Sequence, residues 1–190
     1  MQTLSKKICL VGDYAVGKTS LIRRFVDRQF SDRYLSTIGV KISRKIVPVP
    51  LPDPSLDRAS ERPEPMELQL LIWDVEGQTK FQRIAPSYLQ GSSGAIVVAD
   101  ATRPDTVSHL RDHANLVRSV SPTSVVILAI NKVDLMDESH KHHLQLQVET
   151  LLAGVTYSLY WTSAKSGSNV DEIFSELALS MVQPAISRGR

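Results

Sequence analysis

Apolar residues along this chain follow two rhythms. Unbroken apolar runs at Ile8–Val11, Gly94–Ala99 and Val125–Ile130 predict strands buried on both faces. Ile42–Val47, Met66–Val75 and the short Ser158–Trp161 read as further strands. Between them the spacing turns helical. Lys18–Asp27 carries Leu21, Ile22, Phe25 and Val26 at helical intervals. A second helix is predicted over Asp105–Val120, with Pro104 beside its start, where a missing N–H does no harm. A third runs from about Asp137 to Ala153 and meets Gly154 as a C-terminal cap. A last one, capped by Ser168 or Asn169, ends near Met181. Strands alternating with helices predict an α/β fold, a mainly parallel central sheet with helices on both faces.

One stretch breaks this alternation. Residues Pro48–Pro65 (PVPLPDPSLDRASERPEP) hold six of the ten prolines. Proline removes a ladder donor, so a central strand is excluded and an exposed loop with extended segments is expected. The plain reading is a mobile linker. The sharper one is a docking loop for a partner that reads extended proline segments.

Composition narrows the class. A length of 190 residues suits a single domain spanning 1–190, with 48–65 as its one insert. The net charge of +2 is too small to argue for nucleic acid or an anionic membrane, and no nucleic-acid partner is expected. One cysteine, Cys9, excludes an internal disulfide and suits a cytoplasmic protein. The apolar run Val125–Ile130 falls far short of the about 20 residues that cross a bilayer. The first residues carry too short an apolar core for a signal peptide.

Chemistry enters with Gly12-Asp13-Tyr14-Ala15-Val16-Gly17-Lys18-Thr19, which fits G-x-x-x-x-G-K-[ST] between a strand and a helix. The amides of such a loop form a nest for phosphate oxygens, and the helix that follows adds its positive end. Lys18 would reach the outer phosphates and the Thr19 hydroxyl would bind Mg²⁺. Asn131-Lys132-Val133-Asp134 lies at the carboxyl end of a strand, where open α/β sheets bind ligands. A carboxylate there can accept from the N1–H and exocyclic amine of guanine, a donor pair that adenine lacks. Ser163-Ala164-Lys165 follows about 30 residues later and could meet the guanine carbonyl through its backbone. Asp74, at the end of Met66–Trp73, can hold the water shell of Mg²⁺. Gly77 lets the backbone approach the terminal phosphate, and Gln78 can orient the attacking water. Thr37 could supply a second Mg²⁺ ligand from a loop.

With these motifs in this order the chain resembles the small Ras-like GTPases, and most closely their Rab branch. The resemblance covers residues 5–183 apart from the proline-rich insert. It implies the P-loop NTPase fold of a Ras-like G domain, with GTP or GDP and Mg²⁺ as its ligands. It implies nucleotide contacts from Asp13, Tyr14, Ala15, Val16, Gly17, Lys18, Thr19 and Ser20, and from Asn131, Lys132, Asp134, Ser163, Ala164 and Lys165. Phe30 matches the aromatic that packs on the guanine, and Tyr34 the one that closes over the phosphates. Lys18, Thr37, Gly77 and Gln78 match the catalytic set; Thr19, Thr37 and Asp74 match the metal set. The implied function is a monomeric switch that hydrolyses GTP. Its partners would be effectors, exchange factors and GTPase-activating proteins, met through switch I (about 30–42) and switch II (about 76–91).

Several positions depart from the family pattern. Tyr14 stands where a glycine or small residue is usual, crowding the outermost phosphate and an incoming arginine. Glu76 replaces a small residue; it would either repel that phosphate or point to solvent. Thr79 replaces an acidic residue, and Ile42 an effector-site phenylalanine, whereas Trp73 and Tyr88 match the effector aromatics. Slow intrinsic hydrolysis is therefore expected. No cysteine follows Cys9, and Gln2 stands where myristoylation needs glycine. Either the tail is cut short, or the protein is cytoplasmic with membrane visits arranged by partners. The second functional reading is a non-cycling, nucleotide-holding scaffold or adaptor. The third, an ATP-using P-loop enzyme, is disfavoured by Asn131, Asp134 and Lys165. His140 and His143, and the cations Lys6, Lys7, Arg23, Arg24 and Arg28, read as solvated surface.

Overall fold

The computed structural model describes residues 4–31, 36–50, 66–77 and 84–182. Along the chain these form β1 (Leu4–Gly12), α1 (Lys18–Asp27), β2 (Val40–Val49), β3 (Met66–Val75), α2 (Pro86–Leu89) and β4 (Gly94–Asp100). There follow α3 (Pro104–Ser108), α4 (Leu110–Val120), β5 (Val125–Asn131), a 3₁₀ turn (Val133–Leu135), α5 (Glu138–Leu151), β6 (Ser158–Trp161) and α6 (Val170–Val182).

The strands make one sheet in the order β2-β3-β1-β4-β5-β6. Only β2 runs antiparallel to its neighbour. Successive side chains on a strand point to opposite faces, and the buried runs supply both. From β1, Ile8 and Leu10 join a core with Leu21 and Phe25 of α1 and Phe174 and Leu177 of α6. Cys9 and Val11 join the opposite core, with Leu110, Ala114 and Val117 of α4 and Leu144 and Val148 of α5. The mainly parallel sheet with both faces covered matches the α/β expectation.

Three boundaries differ from those the pattern suggests. β2 continues through Pro48 to Val49, so the proline-rich loop begins later than residue 48. Pro48 sits opposite Glu67 on an edge strand, where a missing N–H interrupts no second ladder. The helix expected over 105–120 is broken at His109 into α3 and α4. The Ser108 hydroxyl donates to the Asp105 carbonyl at 2.6 Å, in competition with the main-chain ladder. Asn169 does not cap α6 as expected; its backbone is left-handed (φ 53°) and its amide donates to the Trp161 carbonyl at 2.8 Å.

Several cations expected on the solvated surface are in fact tied down. Arg28 pairs with both oxygens of Asp171 at 2.6 Å, linking α1 to α6. Lys7 lies 3.8 Å from the centre of the Trp73 ring and donates to the Gln90 carbonyl. The same two helices meet through Phe25 and Phe174, whose rings stack with centroids 4.0 Å apart. Phe174 is fully buried, so Phe174→Ala should lower the unfolding free energy by about 3–5 kcal/mol in urea titration. A loss below about 1 kcal/mol would show that this face tolerates the cavity.

Candidate functional site

Four strands deliver polar residues to one edge of the sheet. Gly12, Asp74, Asp100 and Asn131 stand at or beside the carboxyl ends of β1, β3, β4 and β5. This is where open α/β sheets place a ligand. A cavity of about 320 Å³ opens there. It is lined by Tyr14, Ala15, Gly17, Lys18, Thr19 and Ser20, then by Phe30, Thr37 and Gly77, and finally by Asn131, Lys132, Asp134, Ala164 and Lys165. Most residues picked out from sequence thus face one space. Tyr34 and Gln78 lie outside the described residues. Val16 is buried behind the loop, and Asp13 turns its carboxylate away from the cavity toward His109 and His113.

The loop from Gly12 to Gly17 is shaped by backbone. Ala15 (φ 62°) and Gly17 (φ 102°) are left-handed. A Cβ on Gly17 would come within 2.2 Å of Asn131 Nδ2, so no side chain fits there. Gly17 precedes α1 and no side chain caps the helix, which leaves its first amides available to an anion.

Lys18 is buried and its ammonium donates to the carbonyls of Gly12 (3.0 Å) and Asp13 (2.8 Å). Burial pushes it down to about 8, against the pull of Asp74, Asp13 and Glu76. A cation held there unpaired by a close carboxylate suits an anionic ligand. Beside it the Thr19 hydroxyl donates to Asp74 Oδ2 at 2.6 Å, and Thr37 Oγ1 lies 2.9 Å from Thr19 Oγ1 and 3.3 Å from the same carboxylate oxygen. Burial raises the Asp74 pKa, despite the bonds from Thr19 and Thr37 and the charge of Lys18. Its other oxygen, Oδ1, is the one buried side-chain polar atom without a partner among the described residues. Two hydroxyls and an orphaned carboxylate oxygen are the hard donors Mg²⁺ prefers, so these residues fit that ion.

The opposite end of the cavity is held by Asn131. Its amide donates to the Val16 carbonyl at 3.0 Å, and its Oδ1 accepts from the Ala164 N–H at 3.2 Å and the Thr162 hydroxyl at 3.3 Å. Lys132 (left-handed, φ 67°) reaches the Ala15 carbonyl at 2.9 Å and Asp100 Oδ2 at 2.6 Å. Ser163 donates to Asp134 Oδ1 at 2.5 Å and so fixes the carboxylate that faces the cavity.

Gly77 packs tightly against the phosphate-type loop: a Cβ would meet the Asp13 carbonyl and Tyr14 Cα, each at 2.6 Å. Glu76 does not simply point to solvent, and its charge is felt at Lys18. Its carboxylate accepts from the Gly39 N–H at 2.8 Å, and its own N–H donates to the Gly39 carbonyl at 2.9 Å. Backbone groups at the start of β2 are thereby satisfied by the end of β3.

Four other residues organise the site without having been singled out for it. Asp100 holds Lys132, and Arg103 donates to the Tyr14 carbonyl at 2.8 Å. Arg24, expected as surface, donates to the carbonyls of Ala164 (2.7 Å) and Lys165. Arg23 also leaves the surface class, since it lines the cavity. Only the partners reveal these roles; an isolated arginine on a helix carries no such signal.

Comparison with known proteins agrees with this geometry. The profile of the Ras family matches residues 7–183. The chain is similar to the GTP-binding protein ypt5 of Schizosaccharomyces pombe, with 32% identity covering 98% of this chain and 86% of the relative. It is similar to mouse Ras-related protein Rab-22A, with 33% identity over 90% of this chain and 81% of the relative. Bovine Ras-related protein Rab-21 is 30% identical over 97% and 76%.

Asn131→Ala should leave the Val16 carbonyl and Ala164 N–H without their partner and lower stability by about 1–3 kcal/mol. Urea unfolding without added ligand measures it; no change would show that solvent replaces the amide.

Proposed function

The chain belongs to the Ras family, and from that premise we propose which of its residues carry the family's work. It is a GTP-binding regulatory switch and an enzyme that converts GTP to GDP, with Mg²⁺ as its ion. Among the described residues no helix is long and apolar enough to cross a membrane. As a Ras-family GTPase it acts through effectors, exchange factors and activating proteins.

In the proposed arrangement the guanine stacks beside Phe30 and is read by Asp134, which Ser163 holds in place, and by the backbone at Ala164 and Lys165. The amides from Asp13 to Ser20 and the start of α1 hold the phosphates. Lys18 exchanges its bonds to the Gly12 and Asp13 carbonyls for phosphate oxygens. Thr19, Thr37 and Asp74 form the metal side, where the bound ion would neutralise charge on the outer phosphates. The Gly77 amide and Gln78 belong to the catalytic set, with Gln78 orienting water. Catalysis then consists of positioning and fixed charge. The observation that carries this reading is the orphaned Asp74 Oδ1 beside Thr19, Thr37 and the buried Lys18.

The partner surface proposed is switch I (about 30–42) and switch II (about 76–91), acting from a monomer. Exposed Ile38 and Ile42 on the first segment support it. Recruitment to membranes, from a cytoplasmic pool, would be through partners. Residues 1–190 are proposed as one G domain, with the proline-rich insert between the two switches; residues 51–65 of it lie outside the described residues.

Slow intrinsic hydrolysis is proposed on Tyr14, an exposed aromatic lining the cavity where the outer phosphates would lie. Single-turnover conversion of preloaded GTP should be measurable in the wild type and lost in Gln78→Leu. Tyr14→Gly should accelerate it by about ten- to a hundredfold. GTP that stays intact in both the wild type and Tyr14→Gly would contradict the assigned site. A second test concerns pH. Bound phosphate raises the Lys18 pKa above its free value of about 8, so binding takes up a proton once pH exceeds 8. GDP affinity should hold steady from pH 6.5 to 7.5 and fall between pH 8 and 9, approaching about tenfold per unit. A flat profile in calorimetric titration would remove Lys18 as the phosphate ligand.

A further inference from the structure

Behind the nucleotide cavity lies a cluster that the switch function does not use. Asp13 points away from the cavity, and each of its carboxylate oxygens faces an imidazole. His109 Nδ1 lies 2.7 Å from Oδ2, and His113 Nε2 lies 3.0 Å from Oδ1. His109 is the residue at the α3–α4 break and His113 lies one turn into α4, four residues on and so on the same face. One ligand atom from each of the three residues lies within 4.8 Å of the other two.

We propose that Asp13, His109 and His113 form a transition-metal site that takes Zn²⁺. Two imidazole nitrogens with one carboxylate make a borderline donor set that favours Zn²⁺ over Mg²⁺. Donor atoms around a tetrahedral Zn²⁺, with bonds near 2.0–2.1 Å, stand about 3.3 Å apart. The two nitrogen–oxygen contacts, 2.7 and 3.0 Å to different carboxylate oxygens, need to open by a few tenths of an ångström, and any pair toward the 4.8 Å limit of the set needs to close by up to about 1.5 Å, a movement that the half-exposed His109 ring can supply. Asp13 and His113 are buried, which fixes their directions, while the His109 side chain is 44% exposed and leaves an open side for water as a fourth ligand. Burial would raise the Asp13 pKa, but the bonds with His113 and His109 outweigh it and hold the pKa below the usual value, so the ligand is anionic.

The proton count closes. Without metal, the carboxylate accepts an N–H from the ring nitrogen that each oxygen faces. With metal, that proton leaves the facing nitrogen, to the ring's other nitrogen or to solvent, and each ring presents a lone pair. The ion would pin the α3–α4 joint to residue 13, whose carbonyl also holds Lys18.

The test uses the full chain in excess GDP and MgCl₂, titrated with CoCl₂ as a spectroscopic stand-in and then with ZnCl₂. One equivalent of Co²⁺ should give the strong visible absorption of a four-coordinate ion, and Zn²⁺ should bleach it. His109→Ala removes a half-exposed ligand and should weaken Zn²⁺ by about a hundredfold or more, since even a supporting residue costs ten- to a hundredfold. His140→Ala, at the exposed His140–Asp137 pair on α5, should leave it unchanged. The proposal is overturned if no four-coordinate band develops, if the band survives His109→Ala, or if it is lost in His140→Ala.

Discussion

The side chain of Asn131 is the contact on which the rest of the site depends. It is 1% exposed and stands at the end of a central strand. Its two ends bind two different loops, the Val16 carbonyl on one side and the Ala164 N–H on the other. No apolar residue could serve both, and an aspartate would lack the donor. Gly17 is glycine partly for this reason, since any Cβ would collide with the amide. Lys132 repeats the pattern one residue on, tying Ala15 to Asp100. Three loops that are far apart in sequence are thus set relative to one another by two adjacent side chains, and the cavity takes its shape from them.

Charge is arranged around that frame with deliberate imbalance. Lys18 is buried with only carbonyls as direct acceptors, and burial depresses its pKa. Asp74 is buried with one oxygen bonded and one orphaned, and burial raises its pKa. Each group is held in an environment that disfavours its charge. In the proposed arrangement a phosphate next to Lys18 and a divalent cation next to Asp74 would relieve both.

Much of this was legible from the chain alone because periodicity and short motifs encode it directly. Continuous apolar runs located β1, β4 and β5, since a strand covered on both faces has no polar alternation to interrupt it. The G-x-x-x-x-G-K-T, N-K-x-D and S-A-K segments converge because each follows a strand whose carboxyl end lies at the same edge. What escaped depends on pairings. Arg24 and Arg28 read as surface until Ala164 and Lys165 of the β6–α6 loop and Asp171 of α6 are brought beside them. Pro48 argued for a loop, yet an edge strand needs no donor on its open side. Glu76 was read by its charge alone, whereas its carboxylate and its N–H also bond the backbone of Gly39. His109 and His113 show no meaning until Asp13 turns toward them.

The most direct test of the account is GDP affinity with Mg²⁺ and with a chelator, set against ADP. The predicted result is that GDP binds, that chelation weakens it markedly, and that ADP fails to compete in either condition. Equal affinity for GDP and ADP would contradict the role of Asp134, and GDP binding indifferent to Mg²⁺ would contradict the role of Thr19 and Asp74.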